Sequence, residues 1–146
     1  MRTILLILTL CFSLSIAAQE VQLSWNKDLN VATELAKAEN KPILIYFTKT
    51  DCSTCLQFYT DFFKNEAFKN LSKDFVLLML DAPNSDINST ELSVMKQRRL
   101  VMHYNKPSTY PAVLVLDSNR QELGTLFTST DETSIANYMT ELESLK

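Results

Sequence analysis

The chain is poor in the residues that many functions require: it has one histidine, one tryptophan, one glycine and three cysteines among 146 residues. A structural zinc site wants four nitrogen or sulfur ligands, and beyond the N-terminal segment only Cys52, Cys55 and His103 are on offer. Basic residues are outnumbered, 14 Lys and Arg against 17 Asp and Glu. That balance gives no support to nucleic-acid binding, because affinity for a phosphate backbone comes from clustered cations. Lys96, Arg98, Arg99 and Lys106 do gather, in the manner of a solvated helix face. The sequence also lacks internal repeats, low-complexity tracts and linkers, so one domain is expected.

Beyond one short N-terminal stretch, no apolar run approaches the ~20 residues that a spanning helix needs. In that stretch Arg2 precedes the run from Ile4 to Leu14, and Ala17 and Ala18 supply small residues for cleavage. The pattern predicts a signal peptide over residues 1–18, followed by one domain over 19–146. An uncleaved anchor is disfavoured by the shortness of the run, and lipidation of Cys11 by Leu10 before it. Cleavage removes Arg2 and Cys11, moves the formal charge from -3 to -4 and leaves a length suited to one core. It would deliver the domain, without stable membrane insertion, to an oxidising secreted or periplasmic compartment.

What remains is a pair of cysteines, Cys52 and Cys55, between the apolar run Ile43–Thr48 and a helix-like stretch. A C-x-x-C pair where a strand feeds a helix puts its first sulfur near unpaired N–H groups that favour a thiolate. The second sulfur lies about one turn on, within reach to resolve a mixed disulfide. As a staple the pair is weak, since closing a four-residue ring contributes roughly 2 kcal/mol, less than a longer loop would. Thiol-disulfide chemistry is the stronger reading. His103 is read as a helix-end residue beside free carbonyls rather than as the base of a cysteine hydrolase.

The coarse pattern alternates helix and strand. Asp28 or Asn30 caps a helix that Asn40-Lys41-Pro42 ends, and residues 43–48 form a strand covered on both faces. Leu56, Phe58, Tyr59, Phe62 and Phe63 mark a long aromatic helix whose rings are core, and Glu66–Leu71 extends or follows it. Strands are expected at Phe75–Leu80, Ala112–Leu116 and about Glu122–Phe127, with a loop over 82–90 and a helix from about Glu91 to Tyr104. Asn119 is the residue expected to take a positive φ in the turn at 117–120. Thr130 or Asp131 caps a last helix with Ile135, Tyr138, Met139, Leu142 and Leu145 on one face.

These residues carry a resemblance that spans nearly all of the chain after residue 18. The run Lys41–Phe47 followed by Asp51-Cys52-Ser53-Thr54-Cys55 resembles the active-site strand and helix start of thioredoxin-like proteins. Trp25 ahead of the first helix, and Phe75–Asp81, are similar to the branch that includes periplasmic disulfide reductases and some secretory-pathway thioredoxin-like proteins. Tyr110-Pro111-Ala112 resembles the family's cis-proline position. The implied fold is α/β, the thioredoxin fold, a central mixed β-sheet flanked by helices on both faces.

By position, the resemblance makes Cys52 the nucleophile and Cys55 the resolving thiol, with no cofactor and no metal. It makes Tyr110 and Pro111, the latter in cis, the place where backbone groups meet an extended substrate segment. Partners would be protein thiols or disulfides and a redox partner that restores the pair. Ser53 and Thr54 set the turn between the sulfurs. Asp51 stands where thioredoxins usually carry tryptophan, and a carboxylate there disfavours the Cys52 thiolate, which argues for reductase over oxidase. The family's buried acid would fall near Tyr46, so the proton of Cys55 needs another group or water. Asp81, at the end of the neighbouring strand, is placed where it can face the site, although a strand-end cap or turn acid is the preferred reading. The alternative class is a binding or chaperone-like module on the same fold, with the cysteine pair structural or idle.

Overall fold

The computed structural model describes residues 22–82 and 92–146. The expected signal segment and most of the expected loop at 82–90 lie outside these residues. Asp28 opens the first helix, α1 (Leu29–Glu39): its carboxylate accepts the N–H groups of Asn30 and Val31, and Asn40 ends the helix in the left-handed region. That conformation suits asparagine, whose short polar side chain tolerates it. Pro42 then blocks further helix, and β1 (Ile43–Lys49) begins.

Strand β1 is the middle of the sheet. It pairs in parallel with β2 (Val76–Ala82) and antiparallel with β3 (Ala112–Leu116), giving the order β2-β1-β3. Period-two alternation divides the side chains into two cores. Ile43, Ile45, Phe47, Val76, Leu78, Leu80, Leu114 and Leu116 meet α1 and a later helix, α4 (Leu92–Tyr104). Leu44, Tyr46, Leu77, Val113 and Val115 meet the aromatic side chains. Both faces are buried, which is why the strands read as continuous apolar runs. The result is the expected mixed sheet with helices on both faces.

The aromatic stretch after the cysteines is not one long α-helix. α2 (Ser53–Phe58) passes into a π-helical turn over Tyr59–Phe63, where the N–H of Lys64 reaches back to the Tyr59 carbonyl. The wider turn brings Phe62 and Phe63, adjacent in sequence, both fully into the core. Asn65 then caps α3 (Glu66–Leu71), which follows as a separate helix. The last helix, α5 (Glu132–Leu145), is capped by Asp131, and its Ile135, Tyr138 and Leu142 are buried.

Two further expectations need correction. Residues 122–127 form no continuous strand: they touch β3 through two isolated bridges, Leu116 to Glu122 and Val113 to Phe127. Between these bridges β3 advances three residues and its partner five, so the ladder cannot run through. The positive φ falls on Arg120, at 67°, rather than on Asn119. Asp117 accepts the N–H groups of Asn119 and Gln121, which folds the turn one residue further along. The Arg120 guanidinium is then held by Thr33 Oγ1 at 2.9 Å and Asn30 Oδ1 at 2.8 Å, contacts no local rule anticipates.

Candidate active site

After β1 the chain turns through Asp51, whose φ of 56° lies in the left-handed region, and reaches Cys52 as the residue capping α2. The Sγ of Cys52 accepts the N–H of Cys55 at 3.1 Å. The two cysteines form a disulfide with their Cα atoms 5.2 Å apart. A disulfide sulfur carries no proton, so in the 3.3 Å contact between Thr54 Oγ1 and Cys52 Sγ the hydroxyl donates. Cys52 is partly exposed, while Cys55 is only 3% exposed. One sulfur is thus reachable from solvent and the other sits beneath it.

Below the pair the central strand presents Tyr46, whose hydroxyl donates to the Cys55 carbonyl at 2.9 Å. Its ring lies 4.7 Å from Phe63 and 6.0 Å from both Trp25 and Phe58, centroid to centroid. Burial raises the Tyr46 hydroxyl above its ordinary value, partly offset by a hydrogen bond with the Thr48 side chain, and the charges of Tyr59 and Asp81 raise it further. The indole N–H of Trp25 donates to Tyr59 at 3.1 Å, so the aromatic floor is also tied by polar bonds. Tyr46, Thr48, Lys49, Asp51, Cys52, Ser53, Cys55, Leu56, Tyr59 and Met79 enclose a pocket of about 560 Å³.

Of the residues singled out in the sequence, Asp51, Cys52, Ser53 and Cys55 line this pocket, and Thr54 stands on the Cys52 sulfur. Tyr110 and Pro111 do not line it. They precede β3, whose Ala112 pairs with Phe47, so they come to the same end of the sheet, and the peptide bond between them is cis. The Lys49 ammonium lies 5.7 Å from the Tyr110 ring centroid, and that ring packs toward the α1 and α4 side. His103 lies in the last turn of α4, away from the cysteines. With Lys96 and Arg99 it borders a larger groove of about 790 Å³ between α1 and α4, which no cysteine lines.

Two residues gain definition beyond the sequence. Tyr46 stands where the family's acid is missing, and its hydroxyl bonds the backbone of Cys55. Asp81 pairs in register with Thr48, and period two puts it on the face of Tyr46, Thr48 and Met79 rather than at a solvent turn. Its Oδ1 is buried with no hydrogen-bond partner. The signal was present in the alternation of the two strands, but it needed the register between them. Among the described residues no group of three or more His, Cys, Asp or Glu is arranged to hold a metal, and no helix is long and apolar enough to cross a membrane.

A family model described as thioredoxin-like matches residues 24–118. Among solved structures, the chain is similar to the oxidoreductase DsbH, with 20% identity, 86% of this chain and 87% of that one covered, and a TM-score of 0.68. A thioredoxin from Thermus thermophilus shares 22% identity over 84% of this chain and 85% of its own, with a TM-score of 0.62. The oxidised C-terminal domain of DsbD from Neisseria meningitidis shares 15% identity over 84% of this chain and all of its own, with a TM-score of 0.57. No protein of curated function matches in sequence. These likenesses establish the thioredoxin-like fold around the C-x-x-C pair.

Proposed function

The chain belongs to the thioredoxin-like family, and on that premise we propose that it is an exported thiol-disulfide oxidoreductase that works as a reductase on cysteines of envelope or secreted proteins. The observation that carries this reading is the disulfide at the start of α2, with Cys52 partly exposed and Cys55 buried behind it. In this reading Cys52 meets the substrate disulfide and Cys55 releases it. A thiolate of Cys52 attacks one substrate sulfur, the other substrate sulfur leaves as thiol, and Cys55 then closes the internal disulfide and frees the second substrate thiol. Two electrons pass to the substrate. A separate dithiol donor must restore the pair.

The direction rests on Asp51, exposed at the lip of the pocket, whose carboxylate opposes the helix N-terminus and disfavours the Cys52 thiolate. Ser53 and Thr54 shape the turn, and the Thr54 hydroxyl supports the Cys52 sulfur. Tyr110 and Pro111, at the same end of the sheet, would offer backbone groups to an extended substrate segment. Residues 1–18 would direct export and be removed, leaving 19–146 in the periplasm or outside the cell. The test is reduction of insulin with dithiothreitol as donor, comparing wild type with Cys52→Ser. Catalysed reduction by the wild type alone is expected, and equal background rates would sink the proposal. Cys55→Ser should trap substrates as mixed disulfides on Cys52.

A further inference from the structure

We propose that the groove between α1 and α4 is a docking site for an acidic, leucine-bearing segment of a partner protein. The inference stands apart from the exchange reaction, because no cysteine lines the groove. Its volume of about 790 Å³ gives room for several side chains rather than for a single ion. On the α4 wall stand Lys96, Arg99 and His103, spaced three and then four residues apart so that they share one face of the helix. The basic cluster in the sequence thus divides: Lys96 and Arg99 border a cavity, while Arg98 and Lys106 lie outside its lining.

Lys27, ahead of α1, and Arg120, in the turn after β3, bring cations to the α1 side. Arg120 is the most constrained of these. Its Nε donates to Thr33 Oγ1 and a terminal nitrogen donates to Asn30 Oδ1, while Thr33, 3% exposed, is itself fixed by donating to the Leu29 carbonyl at 2.6 Å. Both acceptors are neutral. Among the described residues no carboxylate lies within ion-pair distance of Lys27, Lys96, Arg99 or Arg120. Asp28 is the one acid among the described residues of the lining, and its carboxylate is engaged by the N–H groups of Asn30 and Val31. A chain of net charge -3 therefore concentrates uncompensated cations around one cavity, which is complementary to an anionic partner.

The floor of the groove is apolar. Leu29 and Leu80 are buried and Leu100 is half-buried. Along α4 the helical rise puts about 10 Å between Lys96 and His103, and Arg120 adds charge from the α1 side. A single-headed anion would meet only one end of this array. A chain segment with carboxylates on either side of a leucine meets both walls and the floor at once. Leu29 and Leu80 belong to the core on one face of the sheet, and Tyr46, beneath Cys55, to the core on the other. A partner held in the groove leaves the sulfurs uncovered.

The experiment measures fluorescence anisotropy of a labelled, cysteine-free peptide of alternating glutamate and leucine pairs, titrated with the oxidised protein. Saturable binding is expected at low ionic strength, weakening as salt screens the exposed charges. Lys96→Gln with Arg99→Gln should raise Kd about tenfold, the sum of two exposed charge contacts, whereas Lys64→Gln with Lys73→Gln, an equal change of charge on other elements, should leave it within about twofold. A peptide of the same charge with serine in place of leucine should bind the wild type at least about tenfold more weakly, and this arm needs no variant to fold. Absence of saturable binding, equal weakening by the two double substitutions, or equal binding of the serine peptide overturns the proposal. So does displacement of the peptide by an equal concentration of decanoate, which would mark the groove as a site for a small single-headed amphiphile. Circular dichroism checks that each variant is folded.

Discussion

Replacing Tyr46 by phenylalanine removes one hydroxyl from beneath Cys55 and leaves the aromatic contacts in place. The lost bond is the 2.9 Å donation to the Cys55 carbonyl, and a buried neutral hydrogen bond contributes a net 0.5–1.5 kcal/mol or so. The carbonyl is not orphaned, since the N–H of Tyr59 also donates to it. The ring still meets Trp25, Phe58 and Phe63. The expected loss is therefore about 1 kcal/mol, a fall in the urea midpoint of roughly 0.5 M at an unchanged slope. Tyr46→Ala also removes the ring and should cost about 3–5 kcal/mol. Because the acceptor is a backbone carbonyl rather than a sulfur, the bond should contribute equally in the oxidised and reduced proteins. The Cys52–Cys55 potential should then move by less than about 10 mV, given that about 30 mV corresponds to 1.4 kcal/mol. A loss above about 3 kcal/mol for Tyr46→Phe, a changed slope, or a displaced potential would refute the reasoning.

Asp51→Asn keeps a residue that tolerates the left-handed backbone and removes the charge, so Cys52 should alkylate faster at neutral pH and the couple should become more oxidising. Iodoacetamide kinetics against pH, with equilibration against glutathione, check both. Burial raises the hydroxyls of Tyr46, Tyr104, Tyr110 and Tyr138 above their ordinary value. The unfolded chain therefore loses these protons first, so stability is full below about pH 10 and falls above it, by up to about 1.4 kcal/mol per pH unit for each group. Tyr138→Phe should flatten that alkaline slope in urea titrations. Arg120→Ala should lose about 1–2 kcal/mol with the bonds to Thr33 and Asn30, and Arg120→Gly should lose less, because glycine relieves the cost of the positive φ. Asp131 accepts hydrogen bonds from the Ser134 side chain and from its N–H, which lower its carboxyl below the ordinary value; the cap's charged contribution is present above that ordinary value and fades as pH falls through the folded one. Asp131→Ala should therefore destabilise at neutral pH, by a margin that narrows in acid.

The architecture was legible wherever one residue type has one dominant physical reason. Asp28, Asn40 and Pro42 mark the start, the stop and the block of the first helix, and the unbroken apolar runs at 43–48 and 112–116 mark strands covered on both faces. The rest was hidden where the deciding interaction spans a long separation. Arg120 bonds residues some ninety positions away, and nothing in its neighbours announces that. The π-turn at Tyr59–Phe63 arises because two adjacent phenylalanines must both enter one core, a demand that exists only once the sheet is in place. The strand expected at 122–127 fails for a related reason, since register against β3, rather than propensity, decides whether a ladder continues.

By itself the sequence determined the α/β alternation, the two cysteines at a strand-to-helix join and the proline ahead of the last strand of the sheet. Those follow from spacing and local chemistry, which survive without a partner in space. Only the tertiary structure decided what surrounds the pair. Parallel register between β1 and β2 sets Asp81 beside Thr48 and on the face of Tyr46, and the fold over that face buries Cys55 while leaving Cys52 at the surface. A side chain's role as floor or bond depends on what stands opposite it, and strand register is a property of the folded chain rather than of any segment within it.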